Sequence, residues 1–430
     1  MYTITSPLLL ILVARLVGAA PQGKETLERR SWGFNSHNNN KWHGKIKTAE
    51  LGPRPYYLIN DMDDGPLKSQ LESCSEGPFR PTDMAIGHRG APLQFPEETV
   101  ESLLAGARMG AGILECDVVF TKDRKLVCRH AQCDLHTTTN ILATPLASKC
   151  TKNFTPSVNG VLASAKCCTS DITEEEFKTL CGKMDGFNPN ATTVEQYIAG
   201  TPSWRTDLYS TCGTVQTLDS YIQLVDSLGL KFTPELKTPE VAMPFPNANS
   251  TYTQAVYAQQ MIDAFKTAGI KPNRVFPQSF LIDDVYYWLK ADPAFGKQAL
   301  FLDEPALNPK GYNAAVANLT VYKQNGVTTV APSMPGVLAL NANNTIVPSP
   351  YAIEAKRLGL DIVVWSFERS GPLANVNATG EYYYSSVAPA IHKDGDSMTV
   401  LDVMIREVGV KGVFSDWVAS VTYYANCFGY

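Results

Sequence analysis

The chain has 430 residues, 44% of them hydrophobic and 18% charged, with a formal net charge of −5. That length can form one large domain or two ordinary ones, each with a sizeable core. The acidic balance leaves no basic footprint, which argues against a nucleic-acid partner.

Residues 1–20, MYTITSPLLLILVARLVGAA, hold an apolar run that ends in small residues. The run reads as a secretory signal peptide cut near Ala19 or Ala20. It is shorter than the roughly 20 apolar residues that a spanning helix needs, so no transmembrane anchor is expected. Arg29-Arg30 suits a dibasic processing protease, and residues 21–80, with the polar SHNNNKWHGK, read as a propeptide and N-terminal extension. The main domain is then 81–430. Sequons at Asn153, Asn190, Asn249, Asn318, Asn343 and Asn377 offer acceptors for N-glycans. The ten cysteines are even in number and form no C-x-x-C pair. They read as disulfides made in an oxidising compartment, with connectivity open. Together these signals point to a secreted or cell-wall protein.

From residue 85, short apolar runs alternate with segments of helical period. The runs are 85–87, 113–119, 231–236, 274–280, 298–302, 327–331, 362–366 and 412–415. Between them, Val100, Leu103, Leu104 and Ala107 recur at i, i+3, i+4 and i+7, as do Leu218, Tyr221, Ile222 and Val225. Eight strand–helix units predict an α/β fold, a closed (β/α)₈ TIM-type barrel. A doubly wound open sheet is the structural alternative, and no glycine-rich dinucleotide fingerprint favours it. Residues 131–216 interrupt the rhythm after the second strand; seven of the ten cysteines fall between Cys128 and Cys212. They are expected to form a cysteine-rich insertion; it and the second break, residues 370–397, both follow strand ends and so should lie on the catalytic face.

Polar residues gather where the strands end. His88 and Arg89 close strand one, and Glu115 and Asp117 share one face of strand two because side chains alternate. Cys116 then points away, into packing or a disulfide. His130 closes the return run after the KDRK turn, and Glu235 and Lys237 share a face of strand three. Gln278 and Trp365, at the ends of strands four and seven, are expected to line a substrate pocket. Glu115, Asp117 and Glu235 at one barrel mouth would repel one another unless a cation joined them. Oxygen-only ligands suit Mg²⁺ or Ca²⁺ rather than zinc. Arg89 and Lys237 would meet an anionic, phosphate-bearing substrate. His88 and His130 could carry protons near neutral pH, with His136 as a competitor for the second place.

H-R-G, P-E-x-T, E-x-D, a histidine after a hairpin and P-E-L-K, in that order, resemble the glycerophosphodiester phosphodiesterase family. Here they are His88-Arg89-Gly90, Pro96-Glu97-Glu98-Thr99, Glu115-Cys116-Asp117, His130 and Pro234-Glu235-Leu236-Lys237. The resemblance spans about residues 83 to 420. The extension, sequons and cysteine-rich insertion look most like secreted fungal members. The resemblance implies metal-dependent hydrolysis of glycerophosphodiesters to glycerol phosphate and an alcohol. His88 and His130 would be the acid/base pair, Glu115, Asp117 and Glu235 the metal ligands, and Arg89 and Lys237 the phosphate clamp. Two positions depart from the family pattern: Glu98 stands where asparagine is usual, and Ala131 where an aspartate usually follows the histidine. Two rivals remain: a sphingomyelinase D-like phospholipid lyase, and a non-catalytic barrel on the cell surface that binds phosphate or glycan.

Overall fold

The computed structural model of the protein describes residues 44–206, 208–209 and 211–430. The expected signal peptide and dibasic pair lie outside the described residues. The extension expected to reach residue 80 joins the main body from residue 44 onward. Its helices α1 (Arg54–Asn60) and α2 (Pro66–Glu72) put Leu58, Ile59 and Leu71 into the large core. A Cys74–Cys427 disulfide fastens this segment to the last helix of the chain.

Eight parallel strands close on themselves. They are β1 (Thr82–Gly87), β2 (Ala111–Phe120), β4 (Lys231–Leu236), β5 (Gln278–Ser279), β6 (Leu300–Asp303), β7 (Thr329–Pro332), β8 (Asp361–Phe367) and β9 (Gly412–Ser415). β1 pairs with both β2 and β9, which seals the barrel; the antiparallel β3 (Leu126–Cys128) folds back on β2 as a hairpin. The expected strand four, 274–280, keeps regular pairing only at Gln278–Ser279, because Pro277 has no amide hydrogen to give a longer ladder.

Period-two alternation divides the side chains. Ile86, Ile113, Leu300, Leu302, Ala331, Val363 and Phe414 fill the barrel interior. Leu114, Cys116, Val118, Phe232 and Val364 face the outer layer. There they meet α3 (Val100–Arg108), α4 (Leu218–Leu228), α5 (Gln254–Thr267), α6 (Ile282–Ala291), α7 (Tyr312–Gln324), α8 (Pro350–Arg357), α9 (Asp396–Asp402) and α10 (Ala419–Phe428). α9 runs on as a π-helical stretch, Val403–Val408. The same alternation leaves Glu115 and Asp117 inward, with Asp117 in register with Glu235.

The insertion has its own small core, including Leu135, Ile141, Phe177 and Tyr197. Three disulfides lie within it (Cys133–Cys168, Cys150–Cys167 and Cys181–Cys212), and Cys116–Cys128 staples the hairpin at its root. Stapling supplies order that so small a core provides poorly by itself.

Candidate active site

The H-R-G and P-E-E-T motifs form one interlocked pair of loops. After β1 the chain turns sharply, with Arg89 at φ 56° and Gly90 at φ 94°. A Cβ on Gly90 would come within 2.5 Å of the Ser102 backbone in α3, so only glycine fits. Ser102 Oγ donates to the Arg89 carbonyl and accepts from the Ala91 amide. Thr99 caps α3 by accepting from the Ser102 amide, and the Glu98 amide donates to the Arg89 carbonyl. The turned backbone aims the Arg89 amide at Glu115 Oε2, 2.9 Å away.

His88, Arg89, Glu115, His130, Glu235, Lys237, Gln278 and Trp365 line one cavity of about 150 Å³ at the barrel mouth. Asp117 lies just beneath, buried, with an oxygen within 4.8 Å of oxygens on Glu115 and Glu235. His88 Nδ1 is 2.6 Å from Asp416 Oδ1, which leaves Nε2 facing the cavity, 3.8 Å from Glu115 Oε2. Burial, helped by the Arg89 charge, lowers His88 to about 4 against the pull of Asp416. His130 is lowered too, by burial and then by Arg89 and Lys237.

The three carboxylates cannot share the site as three free anions. Burial and the charges of Asp117 and Glu235 push Glu115 up; burial, reinforced by Asp117, also raises Glu235 against the opposing pull of Lys237. Asp117 alone is lowered: burial opposes its ionisation, but Lys237 and Arg89 outweigh that. Gln278 Nε2 donates to Glu115 Oε1, and Lys237 Nζ lies 2.6 Å from Glu235 Oε1. Even so, both Asp117 oxygens and Glu235 Oε1 are buried with no hydrogen-bond donor aligned on them. A buried, all-oxygen cluster with unsatisfied lone pairs is a donor set that fits a hard divalent cation.

Arg89 sits deeper than a simple phosphate clamp. Its Nη1 donates to both Glu97 oxygens and its Nε is 3.0 Å from Asp117 Oδ2. Arg369, which the sequence reading passed over, lines the cavity and donates from Nη1 to Asp416 Oδ2 at 2.9 Å. Arg205, from the insertion, donates to the Pro92 carbonyl and lies 3.8 Å from both Glu97 and Asp416. Burial opposes the ionisation of Glu97, yet Arg89, Arg369 and Arg205 hold it down at about 2. Phe280, Trp365 and Tyr383 form the apolar wall, and the Trp365 indole N–H donates to the Ala331 carbonyl. His136 is elsewhere: its Nδ1 accepts from the Cys167 amide and its ring lies against Tyr197 in the insertion core.

Arg369 follows β8, where a barrel places its chemistry, and that position was the available signal; Asp416 stands where the sequence itself ends strand eight. Arg205 carried none, being an isolated arginine in an irregular stretch.

The family model for glycerophosphoryl diester phosphodiesterases matches residues 88–420. An extracellular protein of Arthroderma benhamiae is 53% identical over 246 residues, 57% of this chain and 99% of that protein. Glycerophosphodiester phosphodiesterase GDPD6 of Arabidopsis thaliana is 21% identical over 398 residues, 88% of this chain and 94% of its own. A crystal structure from Silicibacter pomeroyi, carrying the same family designation, aligns with TM-score 0.54 and 18% identity. It covers 84% of this chain and 97% of that chain, a likeness of fold. The chain therefore belongs to the glycerophosphoryl diester phosphodiesterase family, enzymes that hydrolyse glycerophosphodiesters.

Proposed function

We propose that the protein cleaves glycerophosphodiesters to glycerol phosphate and an alcohol, with His88 and His130 as the proton carriers. The observation that carries this reading is their placement on one cavity wall beside three buried carboxylates, two of them, Asp117 and Glu235, under-satisfied. Glu115, Asp117 and Glu235 would hold one divalent cation, Mg²⁺ or Ca²⁺; when bound it supplies charge neutralisation for the phosphoryl oxygens. Lys237, Arg369 and the outer edge of Arg89 attract and orient the phosphate, while Gln278 fixes Glu115 and Trp365 borders the alcohol. One histidine takes the proton from the attacking hydroxyl, which is water or the substrate's own glycerol 2-hydroxyl. The other gives a proton to the leaving alkoxide oxygen. Asp416 keeps the Nδ1 side of His88 occupied, so Nε2 is the atom that exchanges the proton.

Export is part of the same reading. All ten cysteines are paired, and the sequon asparagines are exposed apart from the half-buried Asn318. The Arthroderma relative is itself an extracellular protein. No described helix is long and apolar enough to cross a membrane.

The test is a panel of glycerophosphodiesters with choline, inositol or ethanolamine heads, incubated after chelation and then with each metal, and followed by ³¹P NMR. Metal-dependent appearance of glycerol phosphate supports the reading. A cyclic phosphate as final product would establish the lyase instead, and binding without turnover under any metal the non-catalytic barrel.

A further inference from the structure

His88 has a carboxylate behind it, whereas His130 is followed by Ala131, which offers no side-chain acceptor. Neither ring nitrogen of His130 makes a hydrogen bond among the described residues. Its surroundings also disfavour a second proton: Arg89, Lys237, Arg369 and His88 all face it with positive or potentially positive charge. A proton carrier so placed needs an acceptor to fix its tautomer and steady the imidazolium when it forms.

Two carboxylates are near enough. One oxygen each from Glu97 and Asp134 and a ring nitrogen of His130 all lie within 4.8 Å of one another. Glu97 is already engaged, since both its oxygens accept from Arg89 and two further guanidinium groups flank it. Asp134 is different. Its Oδ2 accepts from the Ala131 amide, which folds the carboxylate back over the His130–Ala131 peptide. Its Oδ1 is buried with no hydrogen-bond partner. Leaving a buried carboxylate oxygen unpaired is costly, so an unused acceptor beside an unheld histidine calls for an explanation.

The loop that carries both residues is tied down on each side. Gln132 Nε2 donates to the Phe120 carbonyl and to Thr169 Oγ1, both at 2.7 Å. Cys133 is bridged to Cys168, and the Asp134 carbonyl accepts from the Thr137 and Thr138 amides. Asp134 is thus held in place chiefly by the insertion, with one tie through Gln132 to the end of β2.

We infer that Asp134 is the positioning residue for His130: its Oδ1 accepts from one ring nitrogen and turns the other toward the scissile phosphodiester. The inference rests on the reading of His130 as a proton carrier. It gives the cysteine-rich insertion a task in the reaction, that of supplying the acceptor which residue 131 lacks. The charged groups around this pair are Arg89, Glu97, Arg129, Asp185, Lys237 and Arg369.

The experiment is a double-mutant cycle on the intact, oxidised protein. Asp134→Asn keeps an oxygen for the Ala131 amide and removes the charge. It should lower kcat about 10- to 100-fold with KM within a few-fold, part of the 10²–10⁴ that a proton carrier contributes. In a His130→Ala background the same change should have no further effect, because Asp134 acts through that ring. Multiplying losses, or an Asp134→Asn chain as fast as wild type, would overturn the inference. Should Asp134→Asn fail to fold, ¹⁵N-histidine NMR of the wild-type protein decides, with His130 assigned by loss of its signals in His130→Ala. A fixed tautomer with a downfield, exchange-protected ring proton supports the inference, and rapid tautomer exchange refutes it. If the wild-type protein turns over no phosphodiester while that proton is present, the proposed reaction fails and the positioning contact stands.

Discussion

His88 Nδ1 and Asp416 Oδ1 lie 2.6 Å apart although 328 positions separate them in the chain. β1 and β9 are the strands whose pairing closes the barrel, so closing the fold and orienting the histidine are one event. Asp416→Asn should therefore lower kcat about 10²-fold while leaving the melting temperature within a few degrees, because the amide can still meet Arg369. Steady-state kinetics and a thermal melt check both halves; a chain that melts normally and turns over normally would remove Asp416 from the site.

Cation binding should be visible without any turnover. Adding Mg²⁺ or Ca²⁺ to the chelated protein should raise its melting temperature, since a ligand that binds only the folded state stabilises it by mass action. Alanine at Glu115, Asp117 or Glu235 should abolish that rise as well as activity. His88→Ala and His130→Ala should keep the rise and lose about 10²- to 10⁴-fold in rate.

Glu98 sits at φ 58° with one oxygen accepting from the Asp117 amide and the other buried and unpaired. Burial, and then Asp117 and Glu115, push its carboxyl far above the usual range. Asparagine tolerates that backbone region better and carries no charge. Glu98→Asn should leave activity within a few-fold and raise stability by about 1 kcal/mol, read by urea denaturation. A loss comparable to Glu235→Ala would instead mark Glu98 as a ligand.

Acid should strip one contribution to stability in a defined window. Glu97 drops from 4.5 to about 2 on folding, despite burial, because Arg89, Arg369 and Arg205 surround it. A depressed carboxyl stabilises fully above its unfolded value and loses that contribution as pH falls through the folded one, here from about 4.5 toward 2. The difference is on the order of 3 kcal/mol. Denaturation between pH 6 and about 2.5 should show a shallower acid limb for Glu97→Gln than for wild type.

Thiol reagents should find no reactive cysteine in the native protein, since all ten are paired. Reduction should destabilise the chain more than chelation does. A native disulfide contributes about 2–5 kcal/mol in small domains, and the insertion has three to lose around a modest core. Comparative melts with reductant and with chelator measure this.

What could be read in advance followed the reach of each signal. The apolar runs reported the barrel because burial on both faces leaves a mark on consecutive residues. Glu115 and Asp117 were readable because strand periodicity alone puts them on one face. His130 could be separated from His136 only once the hairpin and insertion were seen, as six residues of irregular chain do not fix which ring faces the mouth. Arg205 and Asp134 were silent for the same reason. Their meaning comes from contacts made across the insertion, and no local pattern encodes a tertiary neighbour.

The Cys74–Cys427 bridge, with a sequence separation of 353, makes nearly the whole described chain one covalent ring. A ring that is cut once is still a single molecule. The Asn159–Gly160 turn, where Val158 and Val161 stand exposed, offers proteases an opening, and Cys150–Cys167 brackets it with a second, smaller ring. Nicking there would leave both new ends tethered beside the barrel. In a medium full of hydrolases, that ring would need at least two cuts between bridges before it could come apart.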